Sequence, residues 1–179
     1  MTTVVGDFEL TMDELRVVAR FATESAEDVL PAYEAAVPGD GRPRAAVDSA
    51  WVFINGERRT NRQRVASSDA HRAAKEAKTE VARLAARSAG DAAGAAYLHP
   101  VAKAHQVGHI LRATAAAARV VELIEGDDPT VGIVLIERAR QRATPVLVDV
   151  LRRYPVARVS SDRVAELMST LDAALRSSR

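Results

Sequence analysis

Residues 100–124 read PVAKAHQVGHILRATAAAARVVELI, and this stretch sets the fold class. Val107, Ile110, Leu111, Thr114, Ala117, Ala118, Val121 and Ile124 recur at intervals of three and four, which places them on one arc of an α-helix. Pro100 fits a first helical position, where its missing N–H costs nothing. Glu125-Gly126-Asp127-Asp128-Pro129 ends the helix and offers Asp128 as the next N-cap.

Outward from this helix the pattern stays helical. On its N-terminal side, Gly90-Asp91 reads as a stop followed by an N-cap, leaving a short segment from Asp91 to Leu98. Before that lies a long helix from about Asn61 to Ser88, striped by Ala66, Ala70, Ala73, Ala77, Val81 and Leu84. Side chains this small let helix axes approach to the lower end of the usual range of about 8–10 Å. Asn55-Gly56 closes a helix that starts near Pro43 and carries Ala46, Ala50, Trp51 and Ile54. Pro38-Gly39-Asp40-Gly41 breaks the chain before it. The first helix opens on a capping box, Thr11-Met12-Asp13-Glu14, and carries Leu15, Val18, Ala22, Ser25, Ala26, Val29 and Leu30. Pro31 should kink this helix rather than end it, because Tyr33 and Ala36 continue the stripe.

On the C-terminal side, residues 130–154 form one kinked helix or two, divided at Thr144-Pro145. A last helix follows Ser160-Ser161-Asp162, with Val164, Leu167, Met168, Leu171, Ala174 and Leu175 on one side. No run alternates with period two, and no fixed-length repeat marks a solenoid. The expectation is an all-α, single-domain bundle of six to seven helices over residues 1–179, with an alanine-rich, close-packed core.

Composition narrows the function classes. Of 35 alanines in 179 residues, 20 fall between Ala66 and Ala118, so the excess is architectural. The absence of cysteine excludes disulfides, thiolate metal sites and a cysteine nucleophile. A net charge of +1 argues against non-specific coating of nucleic acid or membrane. That near-neutrality hides a gradient: residues 1–40 sum to −7, 41–87 to +6, 88–128 to −2 and 129–179 to +4. The arrangement suits an acidic first helix packed beside basic neighbours, or a basic face turned to an acidic partner or a phosphate. The N-terminus lacks the basic and apolar regions of a signal peptide, and apolar runs such as Ile133–Ile136 are far too short to span a membrane. A cytoplasmic protein with no membrane partner is expected.

Few constellations carry chemistry. His105 and His109 stand at a chelating spacing, but Gln106 occupies the position where a zinc protease needs a glutamate, so no metal is expected. On a continuous helix His105, His109, Arg112, Ala116 and Arg119 would share a face, and two guanidinium groups there favour an anion or an acidic partner over a cation. Tyr97, His99, Gln106 and His109 are the candidate functional surface, joined by Arg42 and Arg44 if the bundle brings them there. The competing reading is that Tyr97 and His99 cap a helix junction. An arginine from Asp40-Gly41-Arg42-Pro43-Arg44 is expected to reach back to the acidic first helix. Arg58-Arg59-Thr60-Asn61-Arg62-Gln63-Arg64 is a basic loop without the interleaved aromatics that base stacking needs, which leaves nucleic-acid contact through phosphates as the weaker alternative function. There is no P-loop, no G-x-S-x-G and no G-x-G-x-x-G, hence no catalytic set and no cofactor to name.

Several punctuated pieces resemble one family. They are Glu9-Leu10-Thr11 with Glu14-Leu15, Ala26 to Pro31 with Tyr33-Glu34, Asp40 to Arg44, Ala70 to Ala74, Ala86 to Gly90, and above all Ala96-Tyr97-Leu98-His99-Pro100 running on to Leu111. Over residues 9–124 the chain resembles the small all-helical family of bacterial putative immunity proteins. The resemblance implies a helical interaction protein that binds and masks a toxin partner, or self-associates as a homodimer, with no established reaction and no catalytic residue to carry over. The rival reading of the same surface is a small-ligand or anion binder, or a hydrolase, using Tyr97, His99 and His109. Residues 129–179 show no comparable signature and are expected to be C-terminal helices added to the core.

Overall fold

The computed structural model describes residues 3–157 and 161–177, which form eight α-helices and a small two-stranded sheet. The all-α expectation holds, with one or two more helices than the sequence pattern suggested. Strands β1 (Thr3–Val5) and β2 (Glu9–Thr11) pair antiparallel, with Val4 opposite Leu10. They are too short for period two to register. Their turn packs on the chain near Pro100: Asp7 N–H donates to the Pro100 carbonyl at 2.8 Å, and a Cβ on Gly6 would stand 2.4 Å from that oxygen.

Helix α1 (Met12–Ala36) opens on the expected capping box, with Thr11 accepting from Glu14 N–H and the Glu14 carboxylate accepting from Thr11 N–H. The helix runs on through Pro31, which lies on its exposed side, where water can serve the carbonyl left without a donor. Helix α2 (Arg42–Ile54) has Pro43 in its first turn.

The expected 61–88 helix is two helices. Helix α3 (Asn61–Glu76) ends at Ala77, and α4 (Glu80–Gly94) begins after Thr79, whose hydroxyl accepts from Ala82 N–H at 3.2 Å. The continuous alanine stripe hid a break that has neither Gly nor Pro. The stop expected at Gly90-Asp91 is absent, and both residues lie inside α4. Gly90 is there for space: a Cβ on it would meet the His71 ring at 2.9–3.0 Å.

Nor does Pro100 start a helix. Residues 98–103 are extended, a 3₁₀ turn covers Ala104–Gln106, and α5 begins at Val107 and ends at Ile124. His105 therefore lies on the turn that leads directly into the helix carrying His109. Ile124, expected at the end of the buried arc, is 54% exposed. Helices α6 (Pro129–Arg142) and α7 (Pro145–Arg152) are separate, with Asp128 and Thr144 as their N-caps. Asp162 caps α8 (Arg163–Ser177) by accepting from Ala165 N–H at 2.9 Å. Ser160, from the expected start signal, lies outside the described residues.

Helices α1, α4 and α5 pack on one another at the centre, with α2 and α3 on one flank and α6 to α8 on the other. The contact surfaces are alanine-rich: Ala85, Ala89, Ala92 and Ala93 on α4, and Ala115 and Ala116 on α5, are fully buried. The larger groups Leu15, Leu30, Phe53, Ile110 and Leu111 fill the remaining core. Buried polar groups are paired across helices. Ser88 Oγ donates to the Ala113 carbonyl at 2.8 Å, and the Ser25 and Thr114 hydroxyls meet at 3.0 Å.

Three carboxylates of the first helix pair with arginines from other parts of the chain. Glu14 pairs with Arg153, Glu24 with Arg142 and Glu34 with Arg44, at 2.5–2.9 Å. Arg153 holds the Glu14 carboxyl below the usual carboxylate range. These three carboxylates tie α2, α6 and the end of α7 to α1.

Candidate functional site

The candidate residues divide into three places. Tyr97 ends a 3₁₀ turn (Ala95–Tyr97) that follows α4, and its hydroxyl donates to the Thr60 carbonyl at 2.5 Å. The guanidinium groups of Arg59 and Arg64 lie over its ring at 4.8 and 4.4 Å, and Arg59 also donates to the Ala96 carbonyl. The fold therefore supplies the basic loop with an aromatic group that its own sequence lacks.

His99 and Gln106 form the junction itself. Gln106 is buried, and its amide oxygen accepts from His99 N–H at 3.1 Å while its amide nitrogen lies 2.9 Å from His105 Nε2. The His99 carbonyl accepts from the Tyr154 hydroxyl at 2.9 Å, and Phe8 packs edge-on against the Tyr154 ring. Thus the 97–106 segment is held by its backbone from α7 and the hairpin, while the His99 side chain remains exposed.

Arg42 and Arg44 belong to a third place. Asp40 accepts from the Tyr33 hydroxyl at 2.6 Å and from two Arg42 nitrogens, and Arg42 reaches on to Glu76 at 2.5 Å. Arg42 holds the Asp40 carboxyl well below the usual range, and burial beside that carboxylate pushes Tyr33 up to about 12. Arg44 reaches back to Glu34 on α1, as the sequence led us to expect. No hydrogen bond or cavity among the described residues joins either arginine to Tyr97, His99 or His109.

His109 lies in a cavity that sequence reasoning missed. About 500 Å³ opens between α3, α4 and α5, lined by His71 and Lys75, by Arg83, Arg87 and Asp91, and by His109 and Arg112. Asp91 is buried and stands between Arg112 Nε at 3.2 Å and His71 Nε2 at 3.5 Å. Burial lowers the affinity of both histidines for a proton, His71 against the opposing pull of Asp91 and His109 with help from Arg112. The charges of Arg87 and Lys75 lower His71 further, and His99 and His105 act in the same direction on His109.

A signal for this cavity existed, but only in pieces. His71 and Lys75 lie four apart, Arg83, Arg87 and Asp91 form a run at intervals of four, and His109 and Arg112 lie three apart. Each pair or run is one helical stripe. Their convergence depends on the break at residues 77–79, which the sequence pattern concealed. The described residues contain no group of three or more His, Asp or Glu able to hold a metal ion.

Fold and surface together define an all-helical protein with one basic stretch around Tyr97 and another around His109. The chain belongs to the family described as Imm-5 like putative immunity protein, which matches residues 9–144, from β2 to the N-cap of α7. That span is 20 residues longer than the motifs alone delimit and takes in all of α6. No curated protein and no solved structure matches the chain. No helix among the described residues is long and apolar enough to cross a membrane.

Proposed function

We propose that this chain is an immunity-type protein that acts by binding a protein toxin and masking it. The observation that carries this reading is the family match over residues 9–144. The charge arrangement supports an acidic partner: three carboxylates of α1 are taken up by arginines from other segments, whereas Arg58 and Arg62 have no ion pair among the described residues and flank the Tyr97 cluster. Tyrosine and arginine are the residue types that most often anchor protein interfaces. We assign the docking face to Tyr97, Arg64 and Arg62, with the exposed His99 at its edge. Gln106 supports that face through the His99 backbone, and Arg42 and Arg44 serve the fold. Two guanidinium groups over the Tyr97 ring compete with a stacking base, which favours protein over nucleic acid.

The test is protection from toxicity. The chain is tagged in its own host, and proteins that stay bound through a high-salt wash are identified. Each is then expressed in a second host, alone and together with the chain. One of them should arrest growth alone and be tolerated in the presence of the chain. If none arrests growth, or co-expression gives no relief, the function is wrong. Tyr97→Ala with Arg64→Glu should abolish protection while leaving the helical circular dichroism intact; undiminished protection would reject this docking face.

A further inference from the structure

The cavity between α3, α4 and α5 stands apart from that docking face and has a different chemistry. Four cationic side chains line it, Lys75, Arg83, Arg87 and Arg112, against the single carboxylate of Asp91. With both histidines neutral the cavity carries a net charge of +3 from these groups. Arg112 is partnered by Asp91, but Lys75, Arg83 and Arg87 form no ion pair among the described residues. Several other arginines of the bundle are matched with carboxylates, as at Arg42, Arg44, Arg142, Arg153 and Arg163. The charge here is left without a counterpart.

The floor of the cavity is also shaped by omission of side chains. His71 lies against the bare backbone of Gly90, and Arg112 against that of Gly108, where a Cβ would approach the guanidinium to 2.6 Å. Both glycines make room for groups that converge on Asp91, which orients the His71 ring and the Arg112 fork from below. Neutral imidazole offers one N–H donor, and guanidinium offers several in a plane that suits a tetrahedral oxyanion.

We propose that this cavity binds a phosphate dianion, free or as the terminal group of a small phosphomonoester. A single carboxylate would leave two positive charges uncompensated, whereas a dianion leaves one. The volume lies within the range of about 300–1,000 Å³ that small-molecule sites occupy, so an ester substituent has room beside the phosphate. Arg83, Arg87 and Lys75 form the exposed rim that draws the anion in, and Arg112 and His109 donate to it from the floor, with the His71 N–H turned to Asp91.

The test is calorimetric titration of the full chain with inorganic phosphate and with glucose 6-phosphate, at fixed ionic strength in chloride. Binding of one phosphate per chain is expected. Tighter binding of the ester would identify a monoester as the ligand, and equal binding would identify free phosphate. Arg83→Gln with Arg87→Gln removes two exposed, unpaired charges and should weaken binding at least tenfold without unfolding the chain. Arg58→Gln with Arg62→Gln removes the same charge at the other face and should leave binding unchanged. No binding up to 10-fold above millimolar phosphate (on the order of −4 kcal/mol at 1 mM) would overturn the proposal. So would an equal loss in both pairs of variants, since that would be screening by net charge.

Discussion

Glu122 is the carboxylate on which the C-terminal helices depend. It is fully buried and accepts from Arg163 at 2.7 Å on α8 and from Arg119 at 2.9 Å on its own helix. Gly132 of α6 packs directly on it, and a Cβ there would fall 1.9 Å from Oε1. Glu122→Ala removes the shared partner of two arginines that are only 14% and 28% exposed. Breaking a buried pair in this way costs about 3–5 kcal/mol. Arg119 keeps Asp127 and Arg163 keeps Glu166, so the lower end, about 3 kcal/mol, is expected. For a chain of this size that corresponds to roughly 6–12 °C in Tm. Urea denaturation followed by circular dichroism measures it directly.

The sharper half of this prediction is a reversal of sign. Gly132→Ala in the wild-type chain should destabilise, because it forces the Glu122 carboxylate off its arginines. In the Glu122→Ala background the obstruction is gone, and the same substitution should stabilise by about 0.5–1 kcal/mol through helix propensity. Glu122→Ala costing less than about 1 kcal/mol, or Gly132→Ala having the same sign in both backgrounds, would refute the reasoning.

Three further outcomes are expected. Thr79→Ala removes the N-cap of α4 and should cost about 1 kcal/mol, read as a shift in the urea midpoint; no shift would mean that packing alone sets the α3–α4 break. His71 and His109 titrate below their ordinary value in the folded chain, so their contribution is complete above the unfolded value of about 6.5 and is lost as pH falls through the folded values. His71→Gln with His109→Gln should therefore flatten the stability decline as pH falls below about 6.5, and parallel profiles would contradict this. Asp40 is held low by Arg42, so it stabilises the fold above about pH 4 and loses that contribution as pH falls further. Asp40→Asn should lower stability at pH 7 and make the acid limb shallower, both measurable from urea midpoints.

The class of fold was legible in residues 100–124 and 11–36, because a buried helical face leaves a period in the sequence whatever it packs against. Capping signals were equally legible at Thr11, Asp128 and Thr144, since those hydrogen bonds span only two or three residues. Legibility failed where local signals were weak or misleading. The break at Ala77-Lys78-Thr79 has no Gly or Pro, Gly90 serves the His71 ring rather than a helix end, and Pro100 sits under the Gly6 turn instead of opening α5. The hairpin was missed because three-residue strands carry too little pattern.

The candidate site divides along the same line. The sequence by itself determined an all-helical bundle, an alanine-rich packing surface, and an acidic first helix with an arginine reaching back to it from the 40–44 turn. Those are properties of single helices or of neighbours along the chain. Only the tertiary structure decided that Tyr97 meets Arg59 and Arg64, that Gln106 is spent on the His99 backbone, and that His109 faces His71 and Asp91 in a basic cavity. Each of these joins residues from different helices, and their meeting depends on where one helix stops and the next turns back. Helical periodicity fixes which side of a helix is buried, but it does not state which other helix that side will meet.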